Sequence, residues 1–356
     1  REFTDAIRTT SQQSRKDRTL LSSWEIDWSQ GIGTQRTGDS PSNGVWYSTV
    51  DTRFSQQVTL LPLVNTDTRH ANMDNGARGI VTFRGVPYCI AHDTANTNYW
   101  GFYTWAAGTW SEAAQDTSPG AGTTTPLDLA VHENLILGIA AIPTTGGTNL
   151  RFATWDGTTL TTTIPVGLSH ANTDTAGVVI SDGVNIYVVV RNTGGATLNT
   201  VFKSTDDGAN FSTYVTYSAT GGPTGKAIYY SQDGGIDLWL ADATTLRIID
   251  LSTAKITDLQ VGPFRVDGGT ADDGRNRLVT HQGRLYAIGT REIWEYSWNG
   301  NVLVERRVGI FSLRDALPST KWSGTSFTGG VSMSKWLVVG TVNGTNDSGL
   351  LAFDPA

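Results

Sequence analysis

The feature that most constrains this chain is a unit of short apolar runs and tight turns that recurs about every 50 residues from Gly79 onward. Its clearest copy is Arg277-Leu-Val-Thr-His-Gln-Gly283-Arg-Leu-Tyr-Ala-Ile-Gly289, followed by Glu292-Ile-Trp-Glu-Tyr-Ser-Trp298-Asn-Gly300-Asn-Val-Leu-Val-Glu305. This reads as strand, two-residue turn, strand, short break, strand, Asn-Gly turn, strand. Asn-Gly and Asp-Gly supply the positive φ that tight hairpins require. No stretch sustains a helical period of 3.6 residues. Four antiparallel strands per repeat of roughly 40 to 50 residues is the pattern of a propeller blade.

Independent markers agree on the period. The turn between the first two strands falls at Gly85, Asn134, Gly183, Gly234, Gly283 and near Lys335, spaced 49, 49, 51, 49 and 52 residues apart. The third strand ends in a second turn, at Trp105-Ala-Ala-Gly, Trp155-Asp-Gly, Thr205-Asp-Asp-Gly, Asp250-Leu-Ser-Thr, Trp298-Asn-Gly and Phe353-Asp-Pro. We therefore expect an all-β, six-bladed propeller over residues 45–356, with repeats starting near 79, 127, 177, 226, 276 and 329. The final repeat stops at Pro355-Ala356, where its outermost strand should begin. Ser55-Gln-Gln-Val-Thr-Leu-Leu-Pro62-Leu-Val resembles the missing strand, so residues around 55–63 are expected to complete the last blade and close the ring. Otherwise the first and last blades would leave sticky open edges.

Residues 1–44 are expected to form an extended polar arm. Alone, such a segment buries too little apolar surface to offset its ordering entropy, so it should lie on its own propeller or on a neighbouring subunit. The chain opens on Arg1, with no signal-peptide core, and reads as a processed or trimmed product. A net charge of −7 and a pI near 5.2 argue against a general nucleic-acid surface. No apolar run approaches the roughly 20 residues of a membrane span, so none is expected. Cys89 is the single cysteine, which excludes an intrachain disulfide; its strand-like setting predicts a buried, unreactive thiol.

In a propeller, the turns between strands one and two and between three and four share one face. The loops between strands two and three share the other with the connections between blades. Long segments fall on the second face: His92 to Asn98, Pro143 to Asn149, Arg191 to Asn199 and Thr341 to Ser348 within blades, and six longer connections between them. Loops carry binding residues on rigid scaffolds, so this face is the expected contact surface. Its candidates are His70, Asp74, His92, His170, Asp174, Arg191, Asp272 and Trp322. His70-Ala-Asn-Met-Asp74 and His170-Ala-Asn-Thr-Asp174 echo each other two blades apart. Asn and Asp there serve most simply as side-chain turns feeding the next strand, and no metal or cofactor is expected.

Ser204-Thr-Asp206-Asp-Gly208-Ala-Asn-Phe211 resembles the Asp-box of sialidase-like propellers, which sits between a blade's third and fourth strands. The resemblance implies a structural role for Ser204, Asp206, Gly208 and Phe211. A sialidase would also carry an arginine cluster, a tyrosine nucleophile and an Arg-Ile-Pro segment. Here Ala141-Ile-Pro and Thr163-Ile-Pro lack the arginine, and the arginine spacing shows no triad, so no enzyme is expected. The histidines form no His-x-x-x-His pair, and His132 and His281 fall at blade turns. Trp105, Trp155 and Trp298 recur at one blade position, as inter-blade packing requires.

Trp24-Glu-Ile-Asp-Trp28-Ser-Gln-Gly31-Ile-Gly33, then Trp46-Tyr-Ser-Thr-Val-Asp51-Thr-Arg and Val58-Thr-Leu-Leu-Pro, resemble the opening of propeller-bearing bacteriophage virion proteins, tail or capsid-associated. The resemblance implies a non-enzymatic structural or attachment component of a virus particle, with the arm contacting other virion subunits. A cell-surface glycan or protein is a further partner under this reading. A secreted carbohydrate-binding or sialidase-like propeller and a protein-interaction scaffold are the alternatives. Fold alone does not choose among them.

Overall fold

The computed structural model describes residues 61–62, 78–259, 277–310 and 326–353, apart from connecting segments within those ranges. The 1–44 arm lies outside them. The chain is an all-β propeller of four-stranded antiparallel blades, and it divides into two compact units, residues 66–278 and residues 1–65 with 279–356.

In chain order the first strand is β1 (Leu61–Pro62), described below with its partners. The larger unit then holds four blades. The first comprises β2 (Arg78–Phe83), β3 (Val86–His92), β4 (Trp100–Ala106) and β5 (Thr109–Asp116). The second comprises β6 (Thr125–His132), β7 (Leu135–Thr144), β8 (Gly147–Trp155) and β9 (Leu160–Thr163). The third is β10 (Gly177–Ser181), β11 (Ile186–Asn192), β12 (Leu198–Ser204) and β13 (Ser212–Ser218), and the fourth β14 (Gly225–Tyr230), β15 (Ile236–Ala241), β16 (Leu246–Asp250) and β17 (Ile256–Leu259).

In the smaller unit, β18 (Leu278–His281), which begins on the last residue of the larger unit, forms a sheet with β19 (Arg284–Ile288), β20 (Glu292–Trp298) and β21 (Leu303–Ile310). The last sheet runs β22 (Ser326–Met333), β23 (Trp336–Val342), β24 (Ser348–Phe353), and β1 pairs antiparallel with β24 through Leu61↔Ala352 and Pro62↔Leu351.

The core lies between blades. Side chains alternate across a strand with period two, and each central strand therefore serves two neighbours at once. On β11, Ile186, Val188 and Val190 pack against Leu127, Leu137, Ile139, Leu150 and Phe152 of the second blade. The intervening Tyr187 and Val189 pack against Leu238, Leu240 and Ile249 of the fourth. That double burial explains why inner strands read as continuous apolar runs rather than alternating ones. Trp155 joins Phe83, Ile90 and Phe102 between the first and second blades, and Trp105 meets Trp110 edge-on at 5.5 Å. Gly138 allows the close approach there, since a Cβ would come within 2.8 Å of the Phe102 ring.

A buried ionic pin ties the inner strands. Asp128 is fully buried; its Oδ2 accepts from Val179 N at 2.8 Å and from Lys226 Nζ at 2.6 Å. The same ammonium donates to the carbonyls of Leu129 (2.6 Å) and Val179 (2.8 Å). All three of its N–H bonds are thereby used. One lysine on β14 thus binds β6 and β10.

Connection lengths correct one expectation. The segment Pro143 to Asn149 is not a long loop: β7 and β8 remain paired through Ile142↔Asn149, Pro143↔Thr148 and Thr144↔Gly147. Within blades the break between β3 and β4 keeps seven residues, and the longest connections run between blades, such as 164–176, 260–277 and 311–325.

Candidate functional site

The face of the short turns is built by aspartates that cap their own turns. Asp156 Oδ1 accepts the amides of Thr158 and Thr159, both at 2.7 Å. Asp182 Oδ1 accepts those of Val184 and Asn185 at 2.8 and 2.6 Å, and Asp250 Oδ1 those of Ser252 and Thr253 at 2.7 and 3.1 Å. Each carboxylate replaces backbone partners that a tight reversal leaves unmade. The amides of Thr159 and Thr158 hold Asp156 below the usual carboxylate range, and the Ser252 hydroxyl and amide bring Asp250 down to about 2.

The turn from Ser204 to Phe211 is the most elaborate of these. Ser204 Oγ donates to Asp206 Oδ1 at 2.7 Å and accepts Gly208 N at 3.0 Å. Asp206 accepts Asn210 N and Nδ2 at 2.9 and 2.8 Å. Gly208 takes φ +89°, and a Cβ there would run into the Phe152 ring. Phe211 is buried and meets Phe152 edge-on at 5.4 Å. The four residues Ser204, Asp206, Gly208 and Phe211 are thus brought together as one folded turn locked to the preceding blade.

Neighbouring blades mesh on this face. Arg84 Nη1 donates to Asp156 O at 2.9 Å. His132 Nδ1 lies 2.7 Å from Ser181 Oγ, and its Nε2 3.3 Å from Asp207 Oδ1. A serine, an imidazole and a carboxylate in line invite comparison with a nucleophilic triad. The surroundings answer otherwise. Ser181 Oγ already accepts Gly183 N at 2.9 Å, and the amides of Asp182, Val184 and Asn185 are bonded inside their own turn. The local amides that would bind an oxyanion are therefore engaged elsewhere. His281 makes the equivalent contact with Ser332 Oγ at 2.9 Å in the smaller unit. A contact repeated at the same seam is a fastening between blades.

At the opposite end, where the blades connect, two arginines close seams. Arg151 Nε donates to Asp116 Oδ2 at 2.9 Å; that oxygen also accepts Trp100 Nε1 at 3.2 Å. Arg247 is held by Asp242 and Asp258, donates to Ser218 O at 3.1 Å, and lies 4.2 Å over the Tyr217 ring. Burial pushes Asp242 up, against the opposing pull of Arg247. Both guanidiniums are committed to fastening adjacent blades, so neither stands ready for an anionic substrate.

Of the sequence candidates, His92 ends β3 and Arg191 lies near the end of β11, both half-buried. They occupy the connecting face of different blades. His70, Asp74, His170, Asp174, Asp272 and Trp322 lie outside the described residues. Among the described residues no cluster of three or more His, Cys, Asp or Glu is arranged to hold a metal. The seam residues Asp128, Lys226, Asp242 and Arg247 were not singled out from sequence. Asp128 and Lys226 meet across 98 positions, and Asp242 and Arg247, only five apart, carry no pattern that marks them as a buried pair. Cys89 is buried, and burial pushes its thiol up to about 12.

No family model matches the chain, and no curated protein is similar to it in sequence. Among solved structures, a protein of unknown function from Dyadobacter fermentans DSM 18053 superposes with a TM-score of 0.52 at 11% identity. The match covers 84% of this chain and 99% of that one. At that identity the likeness is one of fold alone, which selects no activity.

Proposed function

We propose that this chain is a non-enzymatic structural or attachment component of a virus particle, a six-bladed propeller whose N-terminal arm engages neighbouring subunits of the virion. The observation that carries this reading is the pairing of β1 with β24. It supports a ring closed by the chain's own beginning. An arm preceding that strand would engage another subunit without disturbing the propeller, a common way to build symmetric assemblies. The commitment of Arg151 to a pair across a blade seam, and of Arg247 to aspartates of its own blade and the Ser218 carbonyl of the next, supports a scaffold over a catalyst. The long connections between blades then offer a surface for a host-cell glycan or protein.

The test is sedimentation velocity of the full chain beside one lacking residues 1–52. The full chain associates and the shortened one runs as a monomer with an unchanged melting temperature. A full chain that stays monomeric at high concentration sinks the assembly reading. A chain beginning at Asp74, which also lacks β1, melts lower and aggregates; equal melting and clean elution would refute ring closure. One observation favours a second reading, a carbohydrate-binding or sialidase-like propeller: the hydrogen bonds among Ser204, Asp206 and Gly208 and the packing of Phe211 suit an Asp-box. Glycan-array binding by the monomeric form would favour it.

A further inference from the structure

The reading of the chain as an arm-bearing assembly subunit leaves open which surface receives a neighbour, and this inference rests on that reading. The outermost strand of a sheet presents unpaired amides and carbonyls that template another strand, and proteins blunt such edges with charge, proline or brevity. Here β5 carries Glu112 and Asp116, and β21 carries Glu305, Arg306 and Arg307. Strands β9 and β17 have four residues each, and β1 has two, ending in Pro62. The exception is β13. Its seven residues, Ser212-Thr-Tyr-Val-Thr-Tyr-Ser218, contain neither a charge nor a proline.

Strand β13 is terminal in its sheet, with Ser212, Thr213, Thr216 and Ser218 exposed. A register shift against β12 falls between its Thr213 and Val215 partners, which leaves Val215–Ser218 as a regular run. Tyr217 is buried beneath it, and Arg247 holds the Ser218 carbonyl. The run is therefore backed by a fixed core, as a receiving edge must be.

We infer that β13 accepts, by strand addition, the segment Val45-Trp-Tyr-Ser-Thr-Val50 of a second copy of this chain. That stretch is uncharged, and all but Ser48 are β-branched or aromatic, the residues that suit a pleated edge. An uncharged strand on an uncharged edge buries no unpaired charge, and aromatic residues opposite threonines make favourable cross-strand pairs. From Val50 to β1 at Leu61 the connecting chain spans up to about 36 Å at roughly 3.3 Å per residue. Main-chain hydrogen bonds would supply affinity and the alternating side chains specificity, the physics of β-augmentation.

Sedimentation velocity combined with amide hydrogen exchange on the full chain tests it, using wild type, Thr216→Lys and Thr216→Val. Thr216 is exposed, so both variants fold. Wild type associates with slowed exchange at 212–218, and an excess of a peptide of residues 42–53 dissociates it while exchange at 212–218 stays slow, because the peptide takes the strand's place. Thr216→Lys weakens association at least tenfold, while Thr216→Val associates as wild type does. Equal association by Thr216→Lys, or equal weakening by Thr216→Val, overturns the assignment. So does slowed exchange at 212–218 in a species that, without the peptide, sediments as a monomer, because the strand would then come from the same chain. If removing residues 1–52 abolishes association but Thr216→Lys does not, the assembly reading survives and this surface is wrong. If wild type never associates, both fail.

Discussion

Replacing Lys226 by methionine probes the inner pin most directly. Methionine keeps the length of the apolar stem and removes the charge. Asp128, fully buried, would keep its bond from Val179 N but lose the ammonium, and the Leu129 and Val179 carbonyls would lose a donor. Removing one partner of a buried ion pair costs about 3–5 kcal/mol, because the other charge remains desolvated. At ~2–4 °C per kcal/mol for a unit of this size, melting should fall by roughly 6–20 °C. Urea unfolding followed by both fluorescence and circular dichroism measures the loss. The Asp128→Asn/Lys226→Met pair completes a double-mutant cycle. The double variant should be more stable than Lys226→Met alone, since no buried carboxylate is left unpaired. A loss below about 1 kcal/mol for Lys226→Met, no more than a single ordinary hydrogen bond contributes, or perfect additivity in the cycle, would refute the reasoning.

Three further outcomes follow. Gly208→Ala, at φ +89° and against the Phe152 ring, should cost on the order of 1–3 kcal/mol of strain or more, measured by the urea midpoint; a shift of no more than a few tenths would show that the turn relaxes freely. Asp250 is held down to about 2, so its contribution is present above the ordinary carboxylate range and lost as pH falls through about 2. The stability gap between wild type and Asp250→Asn should therefore narrow between roughly pH 4 and pH 2, and a constant gap would count against the cap. Cys89, buried with its thiol pushed up to about 12, should react with a disulfide reagent only at the rate of unfolding; rapid native labelling would contradict that burial.

What the sequence determined by itself is the blade. Turn residues act locally: Gly85, Gly183, Gly234 and Gly283 all adopt the positive φ that their hairpins require. The short apolar runs place strands between such turns, and four-stranded antiparallel sheets follow. The Ser204–Phe211 turn was legible for the same reason, because its hydrogen bonds join residues at most four apart. Loop lengths were less so: nothing local announces that β7 and β8 stay paired to Thr144 and Gly147. Only the tertiary structure decided which blade touches which residue. Lys226 reaches Asp128 across 98 positions, and His132 reaches Asp207 across 75. Such pairs arise from stacking one sheet on the next, and their energy depends on burial that no single strand possesses. The blade is written in short-range geometry, whereas its fastenings exist only once the blades have packed.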